Sequence, residues 1–291
     1  MPAAPTPHRS QLTTHDSAWT DRYLALLGLQ REAPSLDALT RIVKAHVLRV
    51  SFENVTALLR WRDHQPGPAP QPDLDALLTN WEQRSGGGIC FELAAMLAQL
   101  LASLGYEIHI ALAQVSLPNG HQAIHITLDG RRYIVDLGTG GPFFQPIPLD
   151  HGPFEIHSHG LGFRFRFGDQ PHQYVQERLI DGAWTAHARY DLRPSVHADR
   201  DRGYQHHHTA NASWVTNSLT LIHSTDAAVY SLKDDTLVRY TAGGKETTIL
   251  TGPADYRHVA AEIFEMPALP IEEALAVRAE LAARAAAAST R

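Results

Sequence analysis

The spacing of apolar residues changes period along the chain, and each change marks a region. SAWTDRYLALLGL (17–29) sets apolar residues at helical spacing and runs into Gly28, suited to the left-handed backbone that ends helices. SLDALTRIVKAHVLRV (35–50) places Leu36, Leu39, Ile42, Val43 and Val47 on one stripe, with Ser35 positioned to cap the helix. HQPGPAPQPD has proline at Pro66, Pro68, Pro70 and Pro72 and reads as a loop, after which Asp73 caps LDALLTNWEQ. CFELAAMLAQLLASLGY (90–106) is apolar almost all round and stops at Gly105, the signature of a buried helix.

From Tyr106 the period drops to two. YEIHIALAQV, HQAIHITL and RRYIVDLG read as strands, with Asp129-Gly130 as a two-residue hairpin turn. GFRFRFG, HQYVQERLID and AWTAHARYDL extend a meander or small barrel to about residue 200. In GFRFRFG the phenylalanines fall on one face, and Arg164 and Arg166 on the other, as in a half-buried strand. The last third mixes strands (SLTLIHST, AAVYSL, TLVRYTA, KETTIL) with an alanine-rich helix from about 271. The expected architecture is α+β. It comprises an N-terminal helical domain (1–105), a barrel-like β domain (106–200) and a C-terminal mixed α/β domain (201–291).

Composition narrows the classes. The 291 residues are 44% hydrophobic and 19% charged, an ordinary soluble balance. A net charge of −6 gives no reason to expect nucleic acid or an anionic membrane as partner. The single cysteine excludes an intrachain disulfide and a multi-cysteine zinc site, and suits a reducing, cytoplasmic setting. Residues 1–17 form a polar, proline-rich leader without the apolar run of a signal peptide, and no stretch approaches 18 apolar residues. His206, His207 and His208 are expected in a solvated loop that binds no metal, because adjacent side chains diverge. No phosphate-loop motif is present. Trp81, Trp184 and Trp214 are expected in the core or a pocket wall.

That single cysteine, Cys90, follows Gly86-Gly87-Gly88-Ile89 and opens the buried helix. Helix N-termini carry partial positive charge and unpaired N–H groups, both of which favour a thiolate, the reactive form. A nucleophilic cysteine needs a base, and the base an orienting group. With Asp129-Gly130 as the turn, Leu128 pairs with Arg131, and Asp136 falls opposite Ala123. His121 and His125 are then both diagonal to Asp136 on the same face. Strand alternation does not choose between them.

GGICFELAAMLAQLLASLGYEI followed by HQAIHITLDGRRYIVDLGTGG resembles the arylamine N-acetyltransferase family. That family has Gly-Gly-x-Cys, a leucine-rich helix, and a His fifteen residues before the Asp of a Tyr-Ile-Val-Asp-x-Gly-x-Gly strand. His121 to Asp136 matches that spacing, so the resemblance selects His121. RYLALLGL, LTRIVKAHVLRVSFENV, TANASWVTNSLTLIH and VAAEIFEMPALP extend it from about residue 20 to 270, weakly at the two ends. The resemblance implies an acyltransferase with a cysteine-protease-like triad: Cys90 as nucleophile, His121 as base and Asp136 as orienter. No metal or tightly bound cofactor is expected; acetyl-CoA or another acyl-CoA is the cosubstrate and a small amine the acceptor. Gly138, Thr139, Gly140, Gly141 and Ser213 match positions by the acyl and CoA pocket. The sequence departs from the family where Arg84 sits two places further back than its usual arginine. Ala94 replaces a common Asn, Thr139 a common Phe, and Ser51 a Pro. Rival readings keep the triad but use a carrier-bound acyl chain, or water in place of the amine; a non-enzymatic binding module needs no triad.

Overall fold

The N-terminal third is helical. α1 (Ser17–Leu27) ends at Gly28, whose φ is +70°. In α2 (Leu36–Arg49) the Ser35 side chain accepts the Ala38 N–H. A two-residue strand, β1 (Phe52–Glu53), and α3 (Val55–Asp63) follow. α4 (Leu74–Glu82) has Asp73 accepting the Ala76 N–H. α5 (Cys90–Ser103) buries eleven of its fourteen residues. One side of α5 meets Ile110, Ile124 and Ile126, the other Tyr23 and Leu24. The structure is a computed structural model that describes residues 17–289. The first sixteen residues of the proline-rich leader therefore lie outside the described residues.

The middle region is one antiparallel sheet of eight strands. They are β2 (Glu107–Gln114), β3 (His121–Leu128), β4 (Arg131–Val135), β5 (Ile147–Pro148), β6 (Phe154–Ser158), β7 (Leu161–Phe167), β8 (Gln173–Ile180) and β9 (Ala183–Asp191). The order β5-β4-β3-β2-β9-β8-β7-β6 curls into a nearly closed barrel, drawn together where the Tyr174 hydroxyl donates to the Pro148 carbonyl at 3.1 Å. Asp129 and Gly130 both have positive φ (+51° and +74°), the conformation of a type I′ turn, and Leu128 pairs with Arg131. That register turns Ile124 and Ile126 toward α5 and Ala123 into the barrel core with Phe143, Phe165, Tyr174 and Tyr190.

α6 (His197–His207) crosses the expected boundary at 200, and α7 (Trp214–Asn217) follows. The histidine run is not a solvated loop: it ends α6, with His207 and His208 1% and 4% exposed. The sequence HADRDRGYQHH has no apolar stripe, so hydrophobic period carries no trace of this helix. No group of metal-ligating residues is found among the described residues.

The second sheet holds β10 (Thr220–Ser224), β11 (Val229–Lys233), β12 (Thr236–Thr241) and β13 (Gly244–Ile249), with β1 at its edge beside β10. α8 (Pro253–Glu262) and α9 (Ile271–Ser289) cover it, and α9 packs on α3 through a core containing Leu58, Trp61, Val277 and Leu281. Residues 52–63 thus belong spatially with the C-terminal third. Buried Asn54 seals that junction. Its Nδ2 donates to the Val215 and Ser218 carbonyls, and its Oδ1 accepts the Thr220 N–H. No described helix is long and apolar enough to cross a membrane.

Candidate active site

Cys90 is the first residue of α5, 3% exposed, and the loop before it is clamped from both sides. The buried Glu53 carboxylate accepts the Gly87 N–H (3.0 Å), the Thr56 N–H and the Thr56 hydroxyl, while the Glu53 N–H donates to Gly88 O. Trp81 Nε1 donates to Gly87 O at 2.7 Å. A Cβ at Gly87 would stand 1.9 Å from the Ser51 carbonyl oxygen, so only glycine permits this approach. One turn into α5, Glu92 accepts the Ile89 N–H (3.0 Å) and pairs with Arg60 (2.8 Å). Burial raises the Glu92 carboxyl pKa, and Arg60 opposes that rise.

His121 opens β3, and Asp136 lies just past β4. His121 Nε2 bonds Asp136 Oδ2 at 2.9 Å, both buried. Cys90 is the other neighbour that acts on the ring's proton affinity. Burial pulls the imidazole down, but Asp136 and then Cys90 outweigh it, raising its pKa to about 10. Burial likewise opposes ionisation of Asp136, yet His121 and the surrounding donors hold its pKa below the ordinary value. Those donors are the Tyr190 hydroxyl (2.5 Å) and the N–H groups of Gly138 (2.9 Å) and Thr139 (3.2 Å). The carboxylate is therefore saturated and fixed in orientation.

Gly138 touches the two other groups of the constellation. A Cβ there would sit 2.4 Å from Cys90 Cβ and 3.0 Å from His121 Cε1. Gly140 backs on Ile222, and Gly141 on the Phe143 ring. Ser213 is not drawn into the constellation: its hydroxyl bonds His207 Nδ1 (3.0 Å) and accepts the Val215 N–H. His207 Nε2 bonds the Gly120 carbonyl at 2.7 Å, so Ser213 braces the start of β3 from behind. Burial lowers the His207 pKa to about 4, leaving a neutral ring that donates from Nε2 and accepts at Nδ1. His125 stands apart from Asp136, stacked on His109 with centroids 4.3 Å apart. Arg164 and Arg166 both pair with Glu177, which leaves them within the outer face of the barrel. Trp81 is buried in the core, whereas Trp184 is half-buried beneath Arg164 and Trp214 half-buried against Phe52.

Tyr190 escapes sequence reasoning altogether. It reaches Asp136 because Ala113 pairs with His121 on one side and with Tyr190 on the other, placing all three in one row across the barrel. That adjacency joins strands 77 residues apart, and nothing local in AWTAHARYDL announces it. The single Tyr190 hydroxyl proton goes to Asp136. Gln176, whose oxygen lies 2.8 Å away and whose Nε2 is otherwise orphaned, satisfies the phenol by turning its amide to donate.

A cleft of about 280 Å³ opens between β7–β8 and β10–β12, with Thr139 and Gly140 in its wall. Since Gly138 abuts Cys90 and His121, this cleft adjoins the constellation. Neither this cleft nor a second cavity of about 260 Å³, lined by Glu92, Gln99 and Gln122 among others, is lined by Cys90, His121 or Asp136 themselves.

An N-acetyltransferase family model matches residues 35–270. The chain is 30% identical over 237 residues to the arylamine N-acetyltransferase of Mycolicibacterium smegmatis, covering 77% of this chain and 83% of that one. The fold resembles the arylamine N-acetyltransferase of Mycobacterium abscessus, with TM-score 0.77, 22% identity and coverage of 90% and 94%. It also resembles the Mycobacterium marinum enzyme solved in complex with CoA, with TM-score 0.75, 23% identity and coverage of 89% and 97%. Motif, fold and sequence similarity converge: the chain belongs to the arylamine N-acetyltransferase family.

Proposed function

We propose that this protein transfers an acyl group from acyl-CoA to a small amine through a thioester on Cys90. The observation that carries the reading is His121, buried between Cys90 and Asp136 with its proton affinity raised. At neutral pH it rests as imidazolium beside the sulfur. The Cys90 thiolate attacks the thioester carbonyl, a C–S bond forms to Cys90, and the bond to CoA breaks. The CoA thiolate takes the proton from His121. An amine then attacks the acyl-Cys90, neutral His121 accepts the amine proton, and the Cys90 thiolate leaves as the amide forms. Asp136 keeps the ring oriented and stabilises its charged form in both half-reactions.

Within this reading Gly138 and Thr139 serve chiefly to fix Asp136, since their N–H groups already donate to it. Gly140 and Gly141 are left to flank the cosubstrate. Ser213 acts indirectly, through His207. A working thiolate as the sole cysteine suits a reducing, cytoplasmic setting. The M. marinum relative, solved with CoA, supports CoA as the carrier.

The test is intact mass spectrometry with a panel of acyl-CoAs. Wild type should gain one acyl mass, removable by an arylamine, and Cys90→Ala none. His121→Ala should acylate at least about a hundredfold more slowly. A wild-type protein that takes no acyl group from any donor sinks the mechanism. Acylation by a carrier-bound chain alone would move the donor class, and fast hydrolysis indifferent to amine would make the enzyme a hydrolase.

A further inference from the structure

Arg178 lines the cleft beside Thr139 and carries a charge that no acid balances. It makes no ion pair with any described carboxylate. One Nη donates to the Thr139 carbonyl, Nε is buried without a partner, and the other Nη has no hydrogen bond to a described residue. The carboxylate it senses, Asp136, is already filled by His121, Tyr190 and two backbone N–H groups. Phe163 lies under the guanidinium at 6.0 Å, and the hydroxyls of Ser231 and Tyr240 share the cleft. A half-buried cation with one neutral acceptor is poorly compensated, and a guanidinium fork matches a carboxylate.

The position relative to the sulfur follows from contacts. Gly138 touches Cys90, Thr139 is the next residue, and the Thr139 carbonyl meets the guanidinium. With about 3.8 Å between consecutive Cα atoms, the charge lies on the order of 10 Å from the nucleophile. That is the scale of a short dicarboxylic acyl chain, or of a benzene ring with its amine and an acid at opposite ends.

We propose that Arg178 makes this enzyme selective for a substrate bearing a carboxylate, on either the acyl group or the acceptor amine. The inference rests on the acyltransferase reading above and adds the substrate class. Thr139 suits the same role, because a threonine in place of the family's common phenylalanine leaves the approach to Arg178 open.

Two matched pairs separate the sources: 4-aminobenzoate against 4-aminobenzamide as acceptors with acetyl-CoA, and succinyl-CoA against butyryl-CoA as donors to Cys90. In wild type the acid of at least one pair should be preferred by about tenfold or more in kcat/KM. Arg178→Gln should bring that ratio near one, and Arg178→Lys should keep part of it. A merely structural Arg178, holding the Thr139 turn, would lower both members of each pair equally and leave the ratio intact, which overturns the proposal. So would a wild type without preference in either pair, a result that needs no variant to fold. A rise in KM for acetyl-CoA with the ratios unchanged would assign Arg178 to the CoA phosphates instead, and overturns it too. Absence of any acyl adduct on Cys90 defeats the parent mechanism; acylation without acid preference defeats this inference alone.

Discussion

At the scale of single residues, the site is a proton held in place. His121 is raised to about 10, so the stabilisation from its charged form is complete below its ordinary value near 6.5 and disappears as pH rises through about 10. Asp136 is the largest influence that raises it. Asp136→Asn should therefore lose more stability against wild type at pH 6 than at pH 10, measured by urea denaturation across that range. Its kcat/KM should fall by about a thousandfold or more, as for other triads that lose their carboxylate. Iodoacetamide should modify its Cys90 more slowly at pH 7. An unchanged alkylation rate would mean that Asp136 does not govern the charge on His121. Gly138→Ala tests the geometry itself. Its new methyl would stand 2.4 Å from Cys90 Cβ, so activity should drop about a hundredfold while circular dichroism stays native.

At the scale of elements, each residue of the proposed triad sits where an element begins or ends: Cys90 opens α5, His121 opens β3, and Asp136 follows β4. Much of this was legible. The type I′ turn at Asp129-Gly130 fixes the β3–β4 register, which places Asp136 within reach of two histidines. Alternation could go no further, because His121 and His125 share a face; the family spacing made the choice, and contacts two strands away place Tyr190 in the same row as His121. What stayed hidden had no local period. α6 lacks an apolar stripe, so its histidines looked like loop although His207 holds the carbonyl just before β3. β1 is two residues long, too short for any pattern. His207→Phe keeps the bulk but severs both hydrogen bonds. It should reduce kcat by about tenfold with little change in amine KM, as steady-state kinetics would reveal.

At the scale of the whole molecule, a short piece of the first third is built into the last. β1 is an edge strand of the C-terminal sheet, and α3 shares a core with α9. Asn54 answers three backbone groups across that seam. Asn54→Ala leaves two buried carbonyls and an N–H without partners and should cost about 3 kcal/mol in urea unfolding, with the m-value unchanged if the chain still unfolds as a unit. A lower m-value would show instead that the seam had come apart separately. Glu53, the neighbour of Asn54, both pairs with Leu221 and grips the glycine loop ahead of Cys90.

That double duty has a consequence in time. On the ribosome, the segment around Glu53 emerges long before residues 220–222, and until they arrive β1 has no strand to join. At about 5–20 residues per second, the wait is roughly ten seconds or more. Through that interval the sulfur sits on a loop whose clamp is itself unanchored, so a nascent chain carries its proposed nucleophile without the means to aim it. Translation has to reach the last third before β1 gains its partner strand.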